Sequence, residues 1–334
     1  METADTIPTG ILPWHVEPWQ ALIRRAQDGK LPHALLLSGL RGLGKNRFVV
    51  SLTQALLCLQ PQADGQACTR CRSCLLYQAG THPDYLQVRP GEEGKAIVVD
   101  QIRAMNTHLV LKSQYVGYKL VTIAPAEQMN GAAANSLLKT LEVPTAHSLL
   151  ILITSQPTLL PATVRSRCQQ IKFTVPPASL AMPWLSTFPA TGNHAAELLA
   201  LAAGAPVLAL DMADSDALLR RAALLDDLDK LAQHQIDPVT VAAAWLKTNL
   251  SESLAWMLSC VMDMIRMHCA DMPPYLANPD IQQRLRKLAE SLSLTQLYAR
   301  LDSLTETLRL LNRQINIQLL LEDMLISWND QKRR

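Results

Sequence analysis

Short, fully apolar segments alternate with longer amphipathic segments along the first half of the chain. Apolar runs at residues 34–38, 119–124 and 149–154 predict strands with both faces buried, and residues 85–89 and 170–175 are typical of two more strands. Fully apolar strands that alternate with helices indicate a parallel sheet covered on both faces. The first half of the sequence therefore predicts an α/β domain.

Helical periodicity fills the segments between the predicted strands. The predicted helices of this half are residues 18–28, 46–59, 99–111 and 132–142. Pro18 and Gly29 stand where a first helix should begin and end, and Pro144 stops the last one. The alternation of elements is broken by one cysteine-containing segment, residues 58–74.

The pattern changes after Pro176-Pro177, where the strand signals stop. The predicted helical segments beyond this point are a broken unit at 178–213 and helices at 215–235, 238–248, 251–270, 279–291 and 294–327. We therefore expect an α/β domain at 1–175, a small helical domain at 176–213 and an all-α domain at 214–334.

An apolar stripe marks the last predicted helix. Its members recur at spacings of four and three, and they are Leu297, Leu301, Leu304, Leu308 and Leu311. Such a stripe is typical both of the core of a helical domain and of a face that binds a partner, because bundle cores and oligomer seams share this pattern. The sequence leaves both alternatives open.

Composition narrows the class of protein. The chain has 334 residues, 49% of them hydrophobic but only 3 of them Phe, with a net charge of +2. A chain of this length is enough for two or three domains. Its net charge is too small to indicate a nucleic-acid-binding protein. Residues 1–10 lack a signal-peptide pattern and the run 149–153 is too short to span a bilayer, so we expect a cytoplasmic protein.

A phosphate-loop motif follows the first strand. The segment is Gly39-Leu40-Arg41-Gly42-Leu43-Gly44-Lys45-Asn46, and it fits G-x-x-x-x-G-K-[S/T] except at the last position. Gly39, Gly42 and Gly44 would let backbone N–H groups surround phosphate oxygens, and Lys45 would reach the outer phosphates. Asn46 replaces the hydroxyl residue that normally binds Mg²⁺.

The second motif of a phosphate-loop ATPase is altered as well. Such enzymes end the third strand with Asp, often followed by Glu, whereas this chain has Ala124-Pro125. Glu127 lies three residues past the strand end, and we expect its side chain to point elsewhere. The two changes predict no Mg²⁺ site and no hydrolysis by this chain. Binding of ATP or ADP stays open, because the glycines and Lys45 can still surround phosphates.

Four of the 7 cysteines are clustered. Cys58, Cys68, Cys71 and Cys74 lie within 17 residues, a spacing that can turn four thiolates onto one ion. Four sulfur ligands with no open position predict structural zinc. An iron–sulfur cluster and a set of redox cysteines are the alternatives.

Several segments resemble the subunits of one family. The helix Ala134-Asn135-Ser136-Leu137-Leu138-Lys139-Thr140-Leu141-Glu142-Val143-Pro144 and the segment Pro161-Ala162-Thr163-Val164-Arg165-Ser166-Arg167-Cys168 resemble motifs of bacterial sliding-clamp loaders, which are AAA+ proteins. The cysteine insert followed by Thr81-His82-Pro83-Asp84, and the tail Leu319–Leu325, resemble the same family. The resemblance covers nearly the whole chain.

The resemblance implies a definite architecture. It gives an AAA+ domain of the P-loop NTPase type at 1–175 with a zinc module at 58–74, a helical lid at 176–213 and a helical collar at 214–334 that joins five subunits into a ring. The altered nucleotide motifs resemble the delta-prime branch, because the motor subunits gamma and tau keep intact motifs. Val207 stands where the motor subunits carry a sensor arginine.

The resemblance also implies a role for Arg167. In its Ser-Arg-Cys segment it would act in trans, as an arginine finger in the ATP site of a neighbouring gamma or tau subunit, where its fork of donors stabilises charge on the γ-phosphate. The chain itself would have no ATPase activity. Without the resemblance, Arg167 is a surface residue that caps a short helix at 161–166.

The implied partners are those of the DNA polymerase III holoenzyme. They are the delta and gamma or tau subunits in a hetero-pentameric ring, with the sliding clamp and primer–template DNA reached through the complex during replication. One alternative is an active motor ATPase of the gamma or tau type. Another is a zinc-dependent nucleic-acid-binding protein that has no ring partners and is a stable monomer.

Overall fold

The computed structural model describes residues 10–92, 94–115, 117–290, 292–311 and 315–329. The described residues form two compact units. The first contains the residues up to Trp184 together with Ala205–Leu208, and the second contains Leu185–Gly204 and the residues from Ala209 onward. The division into three domains at 175 and 213 stays a prediction.

A five-stranded sheet forms the centre of the first unit. Its strands are β1 (Ala34–Ser38), β2 (Tyr85–Val88), β3 (Lys119–Ile123), β4 (Ser148–Thr154) and β5 (Gln169–Lys172). The order across the sheet is β2-β3-β4-β1-β5, and all four pairings are parallel. Every residue of β1, β3 and β4 is buried, which explains why these strands are mostly apolar. The predicted parallel sheet is confirmed.

Helices cover both faces of this sheet. The helices up to residue 185 are α1 (Val16–Gln27), α2 (Lys45–Leu57), α3 (Arg72–Gln78), α4 (Val99–Val110), α5 (Gly131–Glu142), α6 (Ala162–Arg165) and α7 (Ala178–Leu185). Trp19 and Phe48 of α1 and α2 pack in the core on one face, and Met105 and Leu137 of α4 and α5 pack in the core on the other. The short helix α3 was not predicted, because seven residues show too little periodicity.

The second half of the chain is helical throughout the part that the structure describes. Its helices are α8 (Ala195–Leu201), α9 (Pro206–Ala213), α10 (Ala217–Ala232), α11 (Pro238–Trp245), α12 (Leu250–Cys269), α13 (Gln282–Glu290), α14 (Leu294–Leu310) and α15 (Ile317–Asn329). Leu297 and Leu304 of the leucine stripe are completely buried in the core of the second unit, so the core alternative is confirmed for them. Among the described helices none has the length and apolarity that a bilayer span requires.

The prediction of a single helix at 294–327 is wrong. The structure has two helices, α14 and α15, and residues 312–314 between them lie outside the described part. The side chain of Asn316 accepts a hydrogen bond from the backbone N–H of Leu319 at 3.3 Å, which starts a new helix. The apolar periodicity hid this break because both helices pack their apolar faces on the same core.

Candidate functional site

The phosphate-loop motif forms a tight loop between β1 and α2. β1 ends at Ser38 and α2 begins at Lys45, so the loop lies at the carboxyl edge of the sheet beside central strands. Gly42 and Gly44 have φ values of 77° and 83°, a left-handed conformation that glycine adopts without strain. Asn46 lies exposed in the first turn of α2. The structure thus brings the predicted loop residues together at the start of a helix.

Lys45 is bonded to its own loop. Its side chain is 6% exposed, and its Nζ donates to the carbonyl oxygens of Gly39 and Leu40 at 2.7 Å each and to Oγ of Ser155 at 3.3 Å. An ammonium group has three donors, and these three contacts match that number. A phosphate group could therefore bind this lysine only by displacing contacts that the loop already makes.

A second segment of the chain covers the loop. The carbonyl oxygen of Gly42 accepts from the backbone N–H of Val207 at 3.0 Å and of Leu208 at 3.4 Å. A Cβ atom on Gly42 would collide with Leu208, and one on Gly44 would collide with Leu12. Val207 occupies the position at which the motor subunits carry a sensor arginine. Its side chain is buried, and its backbone N–H contacts the loop.

A buried histidine that the sequence did not flag lies beside the loop. His15 is 1% exposed, and its ring packs edge-on against Phe173 and Phe48, with centroids 4.8 and 5.4 Å away. Within the described residues, neither ring nitrogen has a hydrogen-bond partner. Burial lowers the pKa of His15 to about 4; the nearby backbone of Leu43 acts in the opposite direction, and the charges of Arg47 and Lys45 lower the pKa further.

The expectation that Glu127 points elsewhere is wrong. Its Oε1 accepts from the backbone N–H of Ser155 at 3.0 Å, and the Oγ of Ser155 in turn contacts Lys45. The cause is a short 3₁₀ helix, Ala126–Gln128, which turns the side chain back toward the end of β4. Its Oε2 is buried and has no hydrogen-bond partner among the described residues. A carboxylate thus lies near the lysine, although Ala124 and Pro125 provide none.

The four clustered cysteines meet at one point. Their Sγ atoms all lie within 4.8 Å of one another, and those of Cys68 and Cys74 are 4.0 Å apart. Zinc–sulfur bonds of about 2.3 Å in a tetrahedron place sulfurs about 3.8 Å apart. Cys58 follows the end of α2, and Cys71 directly precedes α3. The set therefore fits one zinc ion, and so small a space does not fit a cluster of several irons.

Backbone groups favour thiolates at this cluster. The N–H groups of Gln60 and Cys68 lie 3.4 and 3.3 Å from the Sγ of Cys58, and that of Cys71 lies 3.4 Å from the Sγ of Cys68. Burial raises the pKa of Cys71, but hydrogen bonds, the strongest from the backbone of Cys74, outweigh it and lower that pKa to about 6, whereas burial raises the pKa of Cys58 and of Cys74. The thiolate is the form that binds a metal ion.

A buried hydrogen-bonded chain ties this cluster to the sheet. The Oγ of Ser73, next to Cys74, donates to the carbonyl of Leu57 at 2.6 Å and lies 2.8 Å from Nε2 of His82. The Nδ1 of His82 accepts from the backbone N–H of Asp84 at 3.1 Å, so Nε2 carries the proton and donates to Ser73. Ser73 is completely buried and His82 is 4% exposed. The Thr-His-Pro-Asp segment thus supports the cysteine module.

Arg167 lies on the surface between α6 and β5. Its Nη1 donates to the carbonyl of Thr163 at 3.0 Å, and its Nη2 lies 2.8 Å from Oε1 of Glu142. The Arg167 side chain is 37% exposed. The bond to Thr163 is the helix cap that the sequence offered as the alternative role for Arg167. The ion pair with Glu142 was not predicted from the sequence. The described contacts of Arg167 include no residue of the phosphate loop.

The sheet and its loop define a class. A parallel sheet of order β2-β3-β4-β1-β5 with a phosphate loop after β1 belongs to the P-loop NTPases, and with the helical unit that follows it has the AAA+ architecture. Family models described as "DNA polymerase III, delta subunit" and "DNA polymerase III, delta subunit, C terminal" match residues 14–177 and 215–330.

Known proteins narrow the class to one family. The DNA polymerase III subunit delta' of Pseudomonas aeruginosa is 35% identical over 322 residues, covering 95% of this chain and 97% of its own. That of Escherichia coli is 33% identical over 317 residues, 94% of each chain. The chain belongs to the family of DNA polymerase III delta-prime subunits. A gamma-subunit-related protein from Thermotoga maritima has a TM-score of 0.47 at 19% identity, over 96% of this chain and 100% of its own.

Proposed function

We propose that this chain is a non-motor subunit of the DNA polymerase III clamp loader, which helps to place the sliding clamp on primed DNA during chromosomal replication. The observation that carries the proposal is a phosphate loop of intact shape whose magnesium positions hold Asn46, Ala124 and Pro125. In a member of the delta-prime family, such a loop fits a subunit that is part of an ATP-hydrolysing ring but does not hydrolyse ATP itself.

The chain's own nucleotide site is proposed to be inactive. In P-loop enzymes a hydroxyl and an acid hold the Mg²⁺ that neutralises the phosphates. The side chains of Ala124 and Pro125 have no ligand atom, and Lys45 is bonded to two loop carbonyls. Hydrogen bonds from a charged group contribute about 1.5–3 kcal/mol each, so a nucleotide must offset them. We expect ATP or ADP to bind weakly and to remain intact.

Arg167 is proposed to act in trans. Its exposed guanidinium would enter the ATP site of a neighbouring gamma or tau subunit and contact the γ-phosphate. The backbone on both sides is fixed, because Val164 and Cys168 are buried. In GTPases such an arginine finger accelerates hydrolysis roughly 10³–10⁵-fold, so a subunit without activity can control hydrolysis in its neighbour.

The four cysteines are proposed to hold structural zinc. When bound, the ion would cross-link the end of α2 to α3 without an open position for chemistry. Within the described part of the segment between these helices, Gly65 and Ala67 are the only buried residues. The ion would therefore replace a core that this segment cannot build.

The proposed partners are the delta subunit and the gamma or tau subunits, in a ring of five joined through the helical domain at 214–334. Leu319 and Ile326 of α15 are 61% and 48% exposed and lie seven residues apart, so they share one helix face. Apolar side chains exposed on one face fit a surface covered by neighbouring subunits. The clamp and primer–template DNA would be reached through this ring, in the cytoplasm.

A reconstituted clamp loader tests the role of Arg167. We expect Arg167→Ala to leave assembly intact and to lower the ATPase and clamp-loading rates at least tenfold. Arg103→Ala, which removes another exposed arginine that pairs with a carboxylate, is the matched control and should have no effect. A normal ATPase rate with Arg167→Ala would exclude the finger.

Turnover by the isolated chain separates the alternatives. We expect no DNA-stimulated ATP hydrolysis above background. Turnover that Lys45→Ala abolishes would instead favour a motor ATPase of the gamma or tau type. A monomer that does not assemble with clamp-loader subunits, and whose DNA affinity is lost on chelation, would favour a zinc-dependent nucleic-acid-binding protein.

A further inference from the structure

Glu142 is the last residue of α5, and its carboxylate faces Arg167. The Oε1 of Glu142 lies 2.8 Å from Nη2 of Arg167, while Nη1 donates to Thr163. A carboxylate at a helix C-terminus is unfavourable, because the helix dipole already places partial negative charge there. The position in the helix therefore does not account for Glu142, whereas its contact with the guanidinium does.

Residues next to both members of this ion pair are buried in one hydrophobic cluster. Leu141, which precedes Glu142, is 3% exposed, and Val164 and Cys168, on either side of Arg167, are 0% and 7% exposed. All three belong to the same hydrophobic core cluster. Because close-packed side chains hold the backbone at both positions, the ion pair has a fixed place on the surface.

The contacts leave donors available on Arg167. A guanidinium has five N–H donors, and the bonds to Thr163 and Glu142 use one on each terminal nitrogen. An exposed ion pair adds little to stability. It does, however, restrict the rotamers of a long side chain before a ligand arrives, so less freedom is lost when the ligand binds.

We propose that Glu142 is a positioning residue that orients the guanidinium of Arg167 toward the phosphoryl oxygens of a nucleotide held by the neighbouring subunit. The proposal rests on the proposed role of Arg167 as an arginine finger. Glu142 contacts no nucleotide itself. It holds one terminal nitrogen of the guanidinium while the remaining donors meet the phosphate in the transition state.

Steady-state ATPase kinetics of the reconstituted clamp loader test this role. We expect Glu142→Ala to lower kcat about three- to tenfold and to change KM for ATP less than twofold, because orientation of the finger counts most in the transition state. Glu142→Gln keeps an oxygen acceptor and should recover most of the rate. Glu92→Ala, which removes an exposed glutamate paired with Lys95, should leave both constants unchanged.

A double-mutant cycle distinguishes the possible failures. When Arg167 is already Ala, adding Glu142→Ala should lower kcat no further, since the two residues act as a unit. A loss with Arg167→Ala but a normal kcat with Glu142→Ala would overturn the positioning role alone. Normal kcat with both single variants would overturn the finger and the positioning role together. Size-exclusion chromatography of each variant complex confirms that assembly is intact.

Discussion

At the scale of single residues, His15 makes the stability of the first unit depend on pH. Its pKa is about 4 in the folded chain, against an ordinary value of 6.5. Below pH 6.5, His15 is protonated in the unfolded chain but stays neutral in the folded chain. The free energy of unfolding therefore decreases as the pH falls from 6.5 to about 4. We expect a loss of roughly 3 kcal/mol from this residue over that range.

Denaturant unfolding at pH 7 and pH 4 measures this effect. The His15→Leu variant removes the titrating ring, so its free energy of unfolding should fall less over the same range than that of the natural chain. Other histidines titrate in both proteins and cancel in the comparison. Equal losses in the two proteins would show that His15 does not cause the dependence.

Local spacing explains which site residues the sequence predicted. Lys45 and the four cysteines were predicted because their partners are close along the chain and the chemistry requires those intervals. Glu127, Glu142 and His15 carry no such pattern. Glu127 meets Ser155 28 residues away, at the ends of two paired strands, and only the folded sheet brings them together.

At the scale of elements, the cysteine module should behave as a separate unit around its ion. Chelation should raise amide exchange in α3 and its flanking residues, because a helix of seven residues is not stable alone. The helices of the second unit should keep their protection. Loss of protection throughout the chain would contradict a local role for the metal.

Ser73 should control how firmly the ion is held. Ser73→Ala keeps all four thiolates but removes the buried hydrogen bonds to Leu57 and His82 that hold the start of α3, and at about 1 kcal/mol for each bond the metal affinity should fall roughly tenfold. Competition with a chromogenic chelator measures the change. The control Ser251→Ala alters an exposed serine and should match the natural chain. An unchanged affinity with Ser73→Ala would contradict the supporting role.

Elements were predictable where burial was uniform. The strands β1, β3 and β4 are buried on both faces, so their apolar runs identified them. The helix α3 was missed because metal ligands rather than apolar periodicity define it. The end of α14 was missed because polar residues that interrupt a helix are also common on the exposed face of a continuous one.

At the scale of the whole molecule, the second unit depends on a side chain near the end of the chain. Trp328 is 2% exposed, and the guanidinium of Arg300 lies 4.4 Å from its ring centroid and donates to its carbonyl at 2.6 Å. Trp328→Ala should cost about 3–5 kcal/mol through the cavity it leaves.

Calorimetry and a zinc assay together show which unit loses stability. The transition of the second unit should move to lower temperature with Trp328→Ala, whereas zinc content should not change. Tyr298→Ala removes an aromatic side chain that is 47% exposed and should leave the transition nearly unchanged. Loss of zinc with Trp328→Ala would show that the two units do not unfold independently.

The sequence predicted the change from α/β to all-α, because strand signals end where the sheet ends. It did not predict that Ala205–Leu208 belong to the first unit. The backbone N–H groups of Val207 and Leu208 meet the carbonyl of Gly42. Backbone hydrogen bonds of this kind depend little on side-chain identity, so no sequence pattern marks them.

The helix α2 begins at the phosphate loop and ends one residue before the first cysteine of the cluster. Its 13 residues make a rod about 20 Å long with one site at each tip. Buried Phe48, Val49 and Leu52 hold the middle of α2 in the core, so oxidation of the thiols or loss of their ion would fray only the helix turn next to Cys58. The contacts of Lys45 with Gly39, Leu40 and Ser155 would remain, so a chain that has lost its metal keeps the shape of the loop at the other end of the same helix.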